Sequence, residues 1–404
     1  MRLYRNLVTA AIPSLVKILD QQQLADREVQ RLLRSNKKWG SKDRRFLANT
    51  IYEVVRWYRL YYEILGHIPK TEADWWQLLG IHWLLQGEEL PPWEQFAALD
   101  SKTIQARSQE LQQTRAIAQA IPDWLDTLGQ EALGEHWAPC LEASNQTAPL
   151  TLRANTLKTN REDLVGYLEK QGVQALLVGE LEDAVEVPKR QKLTQLTSYE
   201  RGYFEIQDGA SQHVAPFLRP APGMTIVDAC AGAGGKTLHL AALMQDEGKL
   251  TALDVEKHKL HELQRRAKRA AVSILKTRVI GNSASVEALY DTADRLLLDV
   301  PCSGLGTLRR NPQIKWRLQP NFLEKIQGTQ QKILQEYSPI CKSGGLLVYA
   351  TCSILPSENQ LQVQEFLQSP AGTEFSLVEE KQLWPQDGGD GFYMALLKRS
   401  IATF

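Results

Sequence analysis

Between residues 224 and 350 the chain carries five short apolar runs, at 225–228, 249–253, 278–280, 295–300 and 346–350, with helical segments between them. Runs this short, alternating with helices, bury themselves well in only one way. They form strands of a mostly parallel sheet covered by helices on both faces. The first run leads straight into Asp228-Ala229-Cys230-Ala231-Gly232-Ala233-Gly234-Gly235-Lys236-Thr237 and then a helix. Glycines at 232, 234 and 235 let the backbone turn sharply and approach a ligand closely. Open α/β sheets bind ligands at the carboxyl ends of their strands, so this turn is the first place to look for one.

Three ligand classes compete for such a turn. A P-loop needs glycine five residues before the Gly-Lys-Thr, and Cys230 stands there. A dinucleotide frame of the G-x-G-x-x-G type fails because residue 237 is Thr. An S-adenosylmethionine (SAM) site needs an acidic residue closing the second strand to hold the ribose hydroxyls. Asp254 supplies it about 20 residues downstream. The same residue could equally cap the following helix, and the two roles are compatible.

Two further strands end in a cysteine. The run at 295–300 contains Asp299 and continues as Pro301-Cys302-Ser303-Gly304, while 346–350 continues as Thr351-Cys352-Ser353. Two thiols at equivalent ends of strands are hard to explain as packing alone. They are too few for a structural zinc. The five cysteines (140, 230, 302, 341, 352) are odd in number and form no CxxC pair, so free thiols in a reducing cytoplasm are expected. Cys140 and Cys341 read as small buried hydrophobes. The N-terminus lacks the apolar core of a secretory leader, and no apolar run approaches the ~20 residues that cross a bilayer. A cytoplasmic monomer without membrane association is therefore expected.

Upstream, residues 1–140 read as all-helical. Leu47, Ile51, Val54, Val55 and Tyr58 recur at helical spacing, and breakers stand at 66–69, Gly87 and Pro91-Pro92. Trp75, Trp76 and Trp83 are candidates for that core. Residues 147–208 run strand (150–154), helix (160–171), strands (175–178 and 184–187), a polar stretch and strand (203–206), the order of a ferredoxin-like subdomain. Residues 209–404 form the third part.

Net charge is zero, which argues against a nucleic-acid binder, but its distribution argues the other way. Residues 1–60 hold 13 Lys+Arg against 5 Asp+Glu, a local +8. Lys37, Lys38, Arg44 and Arg45 lie in its densest part with Trp39 among them, which suits a phosphate backbone and an unstacked base. The alternative is a solvated helix face. Arg309, Arg310, Lys315 and Arg317, with Trp316, follow Cys302 closely and are candidates to grip RNA. The cations at 257–276 read as an exposed helix face.

These blocks resemble the RsmB (Fmu/Sun) family of RNA 5-methylcytosine methyltransferases over roughly residues 115–398. The resemblance includes Pro149-Leu150-Thr151-Leu152-Arg153-Ala154-Asn155-Thr156-Leu157-Lys158, Gly202-Tyr203-Phe204-Glu205-Ile206-Gln207-Asp208 and the loop at 228–237. It continues through the Asp299–Gly304 block, Gly306-Thr307-Leu308-Arg309-Arg310-Asn311-Pro312, Lys315-Trp316-Arg317, Ala350-Thr351-Cys352-Ser353 and Asp390-Gly391-Phe392-Tyr393-Met394-Ala395. It implies a Rossmann-like class I methyltransferase domain, preceded by a ferredoxin-like α+β subdomain and an all-α N-terminal domain in the place of the family's NusB-like module. It also implies SAM as cofactor and RNA, ribosomal rather than transfer RNA, as substrate.

By the same implication Cys352 is the nucleophile and Cys302 the thiol that helps release product, while Cys230 to Lys236, Asp254 and Asp299 surround the cofactor or target base. Where the family's loop reads Ala-Ala-Pro-Gly-Gly, this chain has Ala231-Gly232-Ala233-Gly234-Gly235. Where the family commonly has Asp, Asn282 stands, and it can still contact an adenine edge. A DNA cytosine methyltransferase would follow the Pro-Cys block with Glu-Asn-Val, and an adenine N6 methyltransferase would carry Asn/Asp-Pro-Pro-Tyr/Phe; neither motif is present. A non-catalytic RNA-binding assembly factor retaining the fold is disfavoured by the intact loop, both cysteines and Asp299.

The chemistry explains the residue types. A thiolate adding at C6 of cytosine makes C5 carbanion-like, and a covalent intermediate divides one hard step into easier ones. Asp299 is the candidate for ring N3, either as an acid, which needs a pKa raised by burial, or as an orienting acceptor. Lys236 either assists formation of the Cys352 thiolate or only caps the loop or contacts phosphate. The target base must leave its stack to reach such a pocket.

Overall fold

In the computed structural model residues 3–189 and 191–401 are described; Met1 and Arg2 of the N-terminal stretch weighed above lie outside them. The chain forms two compact units, residues 1–146 with 308–318, and 147–307 with 319–404.

The first unit is helical. Its principal helices are α1 (Arg5–Leu19), α2 (Ala25–Ser35), α3 (Ser41–Leu65) and α4 (Glu72–Leu85), followed by shorter ones ending at Ser144. The expected periodicity holds in α3, where Leu47, Ile51, Val54, Val55 and Tyr58 are all buried. The helix stops at Gly66, whose φ of 95° is open to glycine at little cost. Thr71 caps α4, accepting from the Asp74 N–H at 3.2 Å, while Asp74 accepts from the Thr71 N–H at 2.9 Å. Trp75, Trp76 and Trp83 are buried in this core, as expected.

Residues 308–318 belong to this unit, and they correct two expectations. Lys315 is fully buried, its ammonium donating to Asn145 Oδ1 at 2.7 Å and to the carbonyls of Arg56 and Gln119 at 3.2 Å. Burial pushes that amine well below its ordinary pKa. Arg309 is 4% exposed and donates to the Ala143 carbonyl at 3.1 Å. Neither side chain is on the surface to grip RNA, because both are buried and donate to interior backbone carbonyls. The Trp316 indole likewise donates to the Val55 carbonyl at 2.7 Å. Arg310 is half-buried and Arg317 exposed.

Of the N-terminal cluster, Lys37, Lys38 and Arg45 are exposed. Arg44 departs from that pattern: its guanidinium donates to the carbonyls of Leu33, Asn36 and Trp39, closing the carboxyl end of α2. Trp39 is half-buried against the helical core.

The second unit contains two sheets. Strands β1 (Thr151–Ala154), β2 (Leu176–Leu177), β3 (Ala184–Glu186) and β4 (Phe204–Ile206) pair in the order β2-β3-β1-β4, antiparallel throughout. This is the ferredoxin-like arrangement. Its first helix, α5 (Arg161–Glu169), is capped by Asn160, which accepts from the Asp163 N–H at 2.7 Å. The second is a single turn, Thr197–Glu200.

The larger sheet comprises β5 (Thr225–Asp228), β6 (Lys249–Asp254), β7 (Leu275–Val279), β8 (Ala293–Asp299), β9 (Cys341–Thr351), β10 (Phe375–Leu383) and β11 (Phe392–Arg399), in the order β10-β11-β9-β8-β5-β6-β7. Strands β5 to β9 pair in parallel, and β11 returns antiparallel between β9 and β10. Helices α6 (Gly235–Leu243), α7 (Lys257–Ala270), α8 (Pro320–Tyr337) and α9 (Gln360–Gln368) connect them. This is a Rossmann-like α/β fold with a mixed, mostly parallel sheet. No helix among the described residues is long and apolar enough to cross a membrane.

Candidate functional site

The turn between β5 and α6 is shaped by its glycines. Gly232 and Gly234 have φ of 53° and 86°. A Cβ on Gly234 would lie 2.1 Å from Leu263 Cδ1 of α7, so the second position admits no side chain without displacing Leu263. Ala231 donates its N–H to the Leu253 carbonyl, and Gly234 donates to Ala231, both at 2.9 Å. Asp254, the last residue of β6, then fixes the loop. Its Oδ2 accepts from the Gly232 N–H at 2.8 Å and its Oδ1 from the Glu256 N–H at 2.7 Å. Helix α7 starts at Lys257 with Glu256 at its N-cap position, so Asp254 anchors the loop rather than capping the helix.

Beside this loop lies a cavity of about 700 Å³, lined among others by Cys230, Gly232, Asp254, Asn282, Asp299 and Pro301. Cys230 and Gly232 face it, while Ala231, Ala233, Gly234 and Gly235 carry the turn. Nothing lies within 4 Å of a Cβ built on Gly232, so the cradle is open at that point. Asn282 is exposed at the rim, its Oδ1 accepting from Ser285 Oγ at 3.1 Å. The volume and the convergence of a glycine cradle, carboxylates and an amide suit a nucleoside-sized ligand carrying hydroxyls and a cationic centre. Of the residues expected from the sequence to hold SAM, Cys230, Gly232, Asp254, Asn282 and Asp299 line this cavity, and their chemistry fits that group.

The floor of the site is charged. Lys236 Nζ lies 2.6 Å from Asp299 Oδ2 and 5.0 Å from the centre of the Phe392 ring. Burial opposes the Lys236 charge, but the Asp299 carboxylate outweighs it, with Cys352 adding to the effect, so its pKa stands above the usual value. Behind it, burial pushes the Asp228 carboxyl up to about 7, against a hydrogen bond from Thr237 Oγ1 at 2.6 Å. Burial also pushes the Cys230 thiol well up, helped by Asp228, Asp299 and Asp254, which leaves it no nucleophile.

Cys302 and Cys352 meet at the carboxyl ends of β8 and β9, with 3.3 Å between their sulfurs. Both are free and partly exposed. Cys302 has its pKa pushed well up by the hydrogen bond to Cys352, then by burial and by the charge of Glu358. That last residue is one the sequence reading missed. The repeated Cys-Ser of both blocks hints at a shared partner but does not point to residue 358, which accepts hydrogen bonds from Ser303 and Ser353 alike. Cys140 and Cys341 are buried, as expected.

Comparison with known proteins adds the family. A family model described as 16S rRNA methyltransferase RsmB/F matches residues 215–398. A second, described as the RsmF/B-like ferredoxin-like domain, matches residues 121–194. A probable ribosomal RNA small subunit methyltransferase B of Synechocystis sp. is 36% identical over 301 residues, covering 70% of this chain and 67% of that protein. The ribosomal RNA small subunit methyltransferase B of Shigella flexneri is 33% identical over 308 residues, covering 74% of this chain and 72% of its own. Among solved structures, a methyltransferase homolog from Pyrococcus horikoshii superposes with a TM-score of 0.62 at 26% identity, over 70% of this chain and 97% of that one.

Proposed function

Since the chain belongs to the RsmB/F family of SAM-dependent methyltransferases, we propose that it methylates C5 of a cytosine in small-subunit ribosomal RNA, with Cys352 as the attacking thiol. The observation that carries this reading is the pair of thiols 3.3 Å apart at the ends of β8 and β9. Asp299, from the end of β8, lines the neighbouring cavity.

Addition of the Cys352 thiolate forms an S–C6 bond and moves the C5–C6 π pair onto C5. The Lys236 ammonium, held charged chiefly by Asp299 and further by Cys352, is the cation of the site. Asp299 faces the ring N3 edge; N3 takes a proton from water as the thiolate adds, donates it in a hydrogen bond to the Asp299 carboxylate, and returns it to water on elimination, while the paired Lys236 offsets charge developing on the ring. SAM, when bound against Cys230 to Lys236, Asp254 and Asn282, supplies an electrophilic methyl group for C5. Loss of the C5 proton to a base then restores the C5–C6 double bond as the S–C6 bond breaks. Cys302 stays protonated by virtue of its raised pKa and donates a hydrogen bond to the Cys352 sulfur, which stabilises that sulfur as a leaving thiolate.

In this reading Lys37, Lys38 and Arg45 on the helical unit, with Arg310 and Arg317, contact phosphates. The working division is a helical RNA-binding part (1–140), the ferredoxin-like subdomain (147–208) and the catalytic domain (209–404). The test is nucleoside mass spectrometry of unmodified small-subunit ribosomal RNA incubated with the protein and SAM. New 5-methylcytidine is expected. A methyl group on another base or ring position contradicts the proposal, and methylation of transfer RNA alone moves the substrate to that class.

A further inference from the structure

Glu358 ends the turn Pro356–Glu358 that follows β9, and it is fully buried. A buried carboxylate is costly unless its lone pairs are matched by donors. Here four donors meet it. Oε1 accepts from Ser303 Oγ and Ser353 Oγ, both at 2.5 Å. Oε2 accepts from the Ser303 N–H at 2.7 Å and from Gln330 Nε2 at 3.1 Å. The two serine hydroxyls lie 3.2 Å apart.

Ser303 is the residue after Cys302, and Ser353 is the residue after Cys352. One carboxylate oxygen therefore ties together the two turns that carry the thiols, 50 residues apart in the chain. The neighbouring side chains extend the tie. Gln330 also donates to the Pro301 carbonyl at 3.0 Å, so Cys302 is gripped through the residues on both sides of it. Asn359, also fully buried, accepts from Thr351 Oγ1 at 2.6 Å and donates to the Ser353 carbonyl at 3.1 Å, gripping Cys352 in the same way. The donors to Glu358 come from both thiol turns at once, so its burial is compensated fully only when both turns hold this register.

We propose that Glu358 is a positioning residue for the methyl transfer: it sets the separation and aim of Cys302 and Cys352 by locking Ser303 to Ser353. This rests on the reading of Cys352 as nucleophile. Its charge has a second consequence, since it helps to hold Cys302 in the thiol form. A role confined to stability would lower the melting temperature and the yield of folded protein but leave the chemistry of each folded molecule unchanged.

The test follows covalent protein–RNA adduct formation in a single turnover, using in vitro transcribed small-subunit ribosomal RNA and SAM. Two proteins are compared in the full chain, Cys302→Ala and Cys302→Ala/Glu358→Gln, with SAM affinity measured on both by calorimetry. The proposal expects the adduct rate to fall about tenfold or more with Glu358→Gln while the SAM Kd stays within about twofold. Equal adduct rates overturn it. Absence of adduct from Cys302→Ala with Glu358 intact instead removes the reading of Cys352 on which the proposal stands.

Should Glu358→Gln lose SAM binding, Ser303→Ala and Ser353→Ala each remove one hydroxyl donor in the otherwise native chain. Each is expected to lower kcat about threefold or more with KM for RNA unchanged, and an unchanged kcat in both overturns the proposal. Glu358→Gln with both cysteines present should also move the alkaline limb of the pH–rate profile to lower pH, because Cys302 then deprotonates more readily. A purely structural role leaves that limb in place.

Discussion

Replacing Lys236 with Met leaves the chain length of the side chain nearly intact and removes only its charge and its hydrogen bond. The ammonium lies 2.6 Å from Asp299 Oδ2, with the two side chains 12% and 26% exposed. At an effective dielectric constant of about 20, that separation corresponds to about 6 kcal/mol of gross attraction, much of it offset by desolvation of the two ions. Removing one partner from a fully buried pair costs about 3–5 kcal/mol. Water reaching Asp299 reduces that, and about 2–3 kcal/mol remains as the expected loss. For a unit of this size the melting temperature should fall by about 4–12 °C.

The counter-ion role makes a sharper statement about the double variant. Lys236→Met/Asp299→Asn no longer leaves Asp299 as a carboxylate without its counter-ion, so it should recover about 1–2 kcal/mol relative to Lys236→Met alone. Differential scanning calorimetry of the single and double variants measures both quantities. A loss below about 0.5 kcal/mol in Lys236→Met, or a double variant no more stable than it, would refute the assignment of Lys236 as the counter-ion of Asp299.

Asp254→Asn puts an amide donor against one of the two backbone N–H groups the carboxylate now accepts, Gly232 or Glu256. SAM affinity by calorimetry should weaken about 10- to 100-fold, and an unchanged Kd would contradict the loop-anchoring role. Buried His82, hydrogen-bonded to Tyr61 at 3.0 Å, has its pKa pushed down to about 4 by burial. The unfolded chain therefore binds a proton below about pH 6.5 that the fold refuses, and stability falls as pH drops from about 6.5 to about 4 and then levels off. His82→Leu should flatten the acid limb of urea unfolding for the helical unit, and an unaltered slope would count against it.

Legibility from sequence followed burial only in part, since β11, buried from Phe392 to Leu397, was not among the expected strands. The central strands β5, β6, β8 and β9 announce themselves as apolar runs because both their faces are covered. The edge strand β7 is exposed along most of its length, so the expected 278–280 caught only the end of Leu275–Val279. The other edge strand, β10, is exposed at Ser376–Lys381, and its apolar residues Leu377 and Val378 are followed at once by Glu379, Glu380 and Lys381, which breaks up the apolar run. Lys315 was misread for a related reason. A lysine beside arginines looks solvated, and its burial depends on Arg56, Gln119 and Asn145, all far away in the chain. The glycine loop and Asp254 were readable because their constraint is local, a backbone turn with fixed demands. Glu358 was not, because its partners Ser303 and Gln330 come near it only through the fold.

The division of labour between the two thiols is the centre of the account, and trapping tests it most directly. Cys302→Ala and Cys352→Ala are each incubated with unmodified small-subunit ribosomal RNA and SAM, denatured and resolved for protein–RNA adduct. Cys302→Ala should accumulate an adduct that survives denaturation, because attack proceeds while release is impaired, and Cys352→Ala should form none. An adduct persisting in Cys352→Ala would contradict the account and transfer the attack to Cys302.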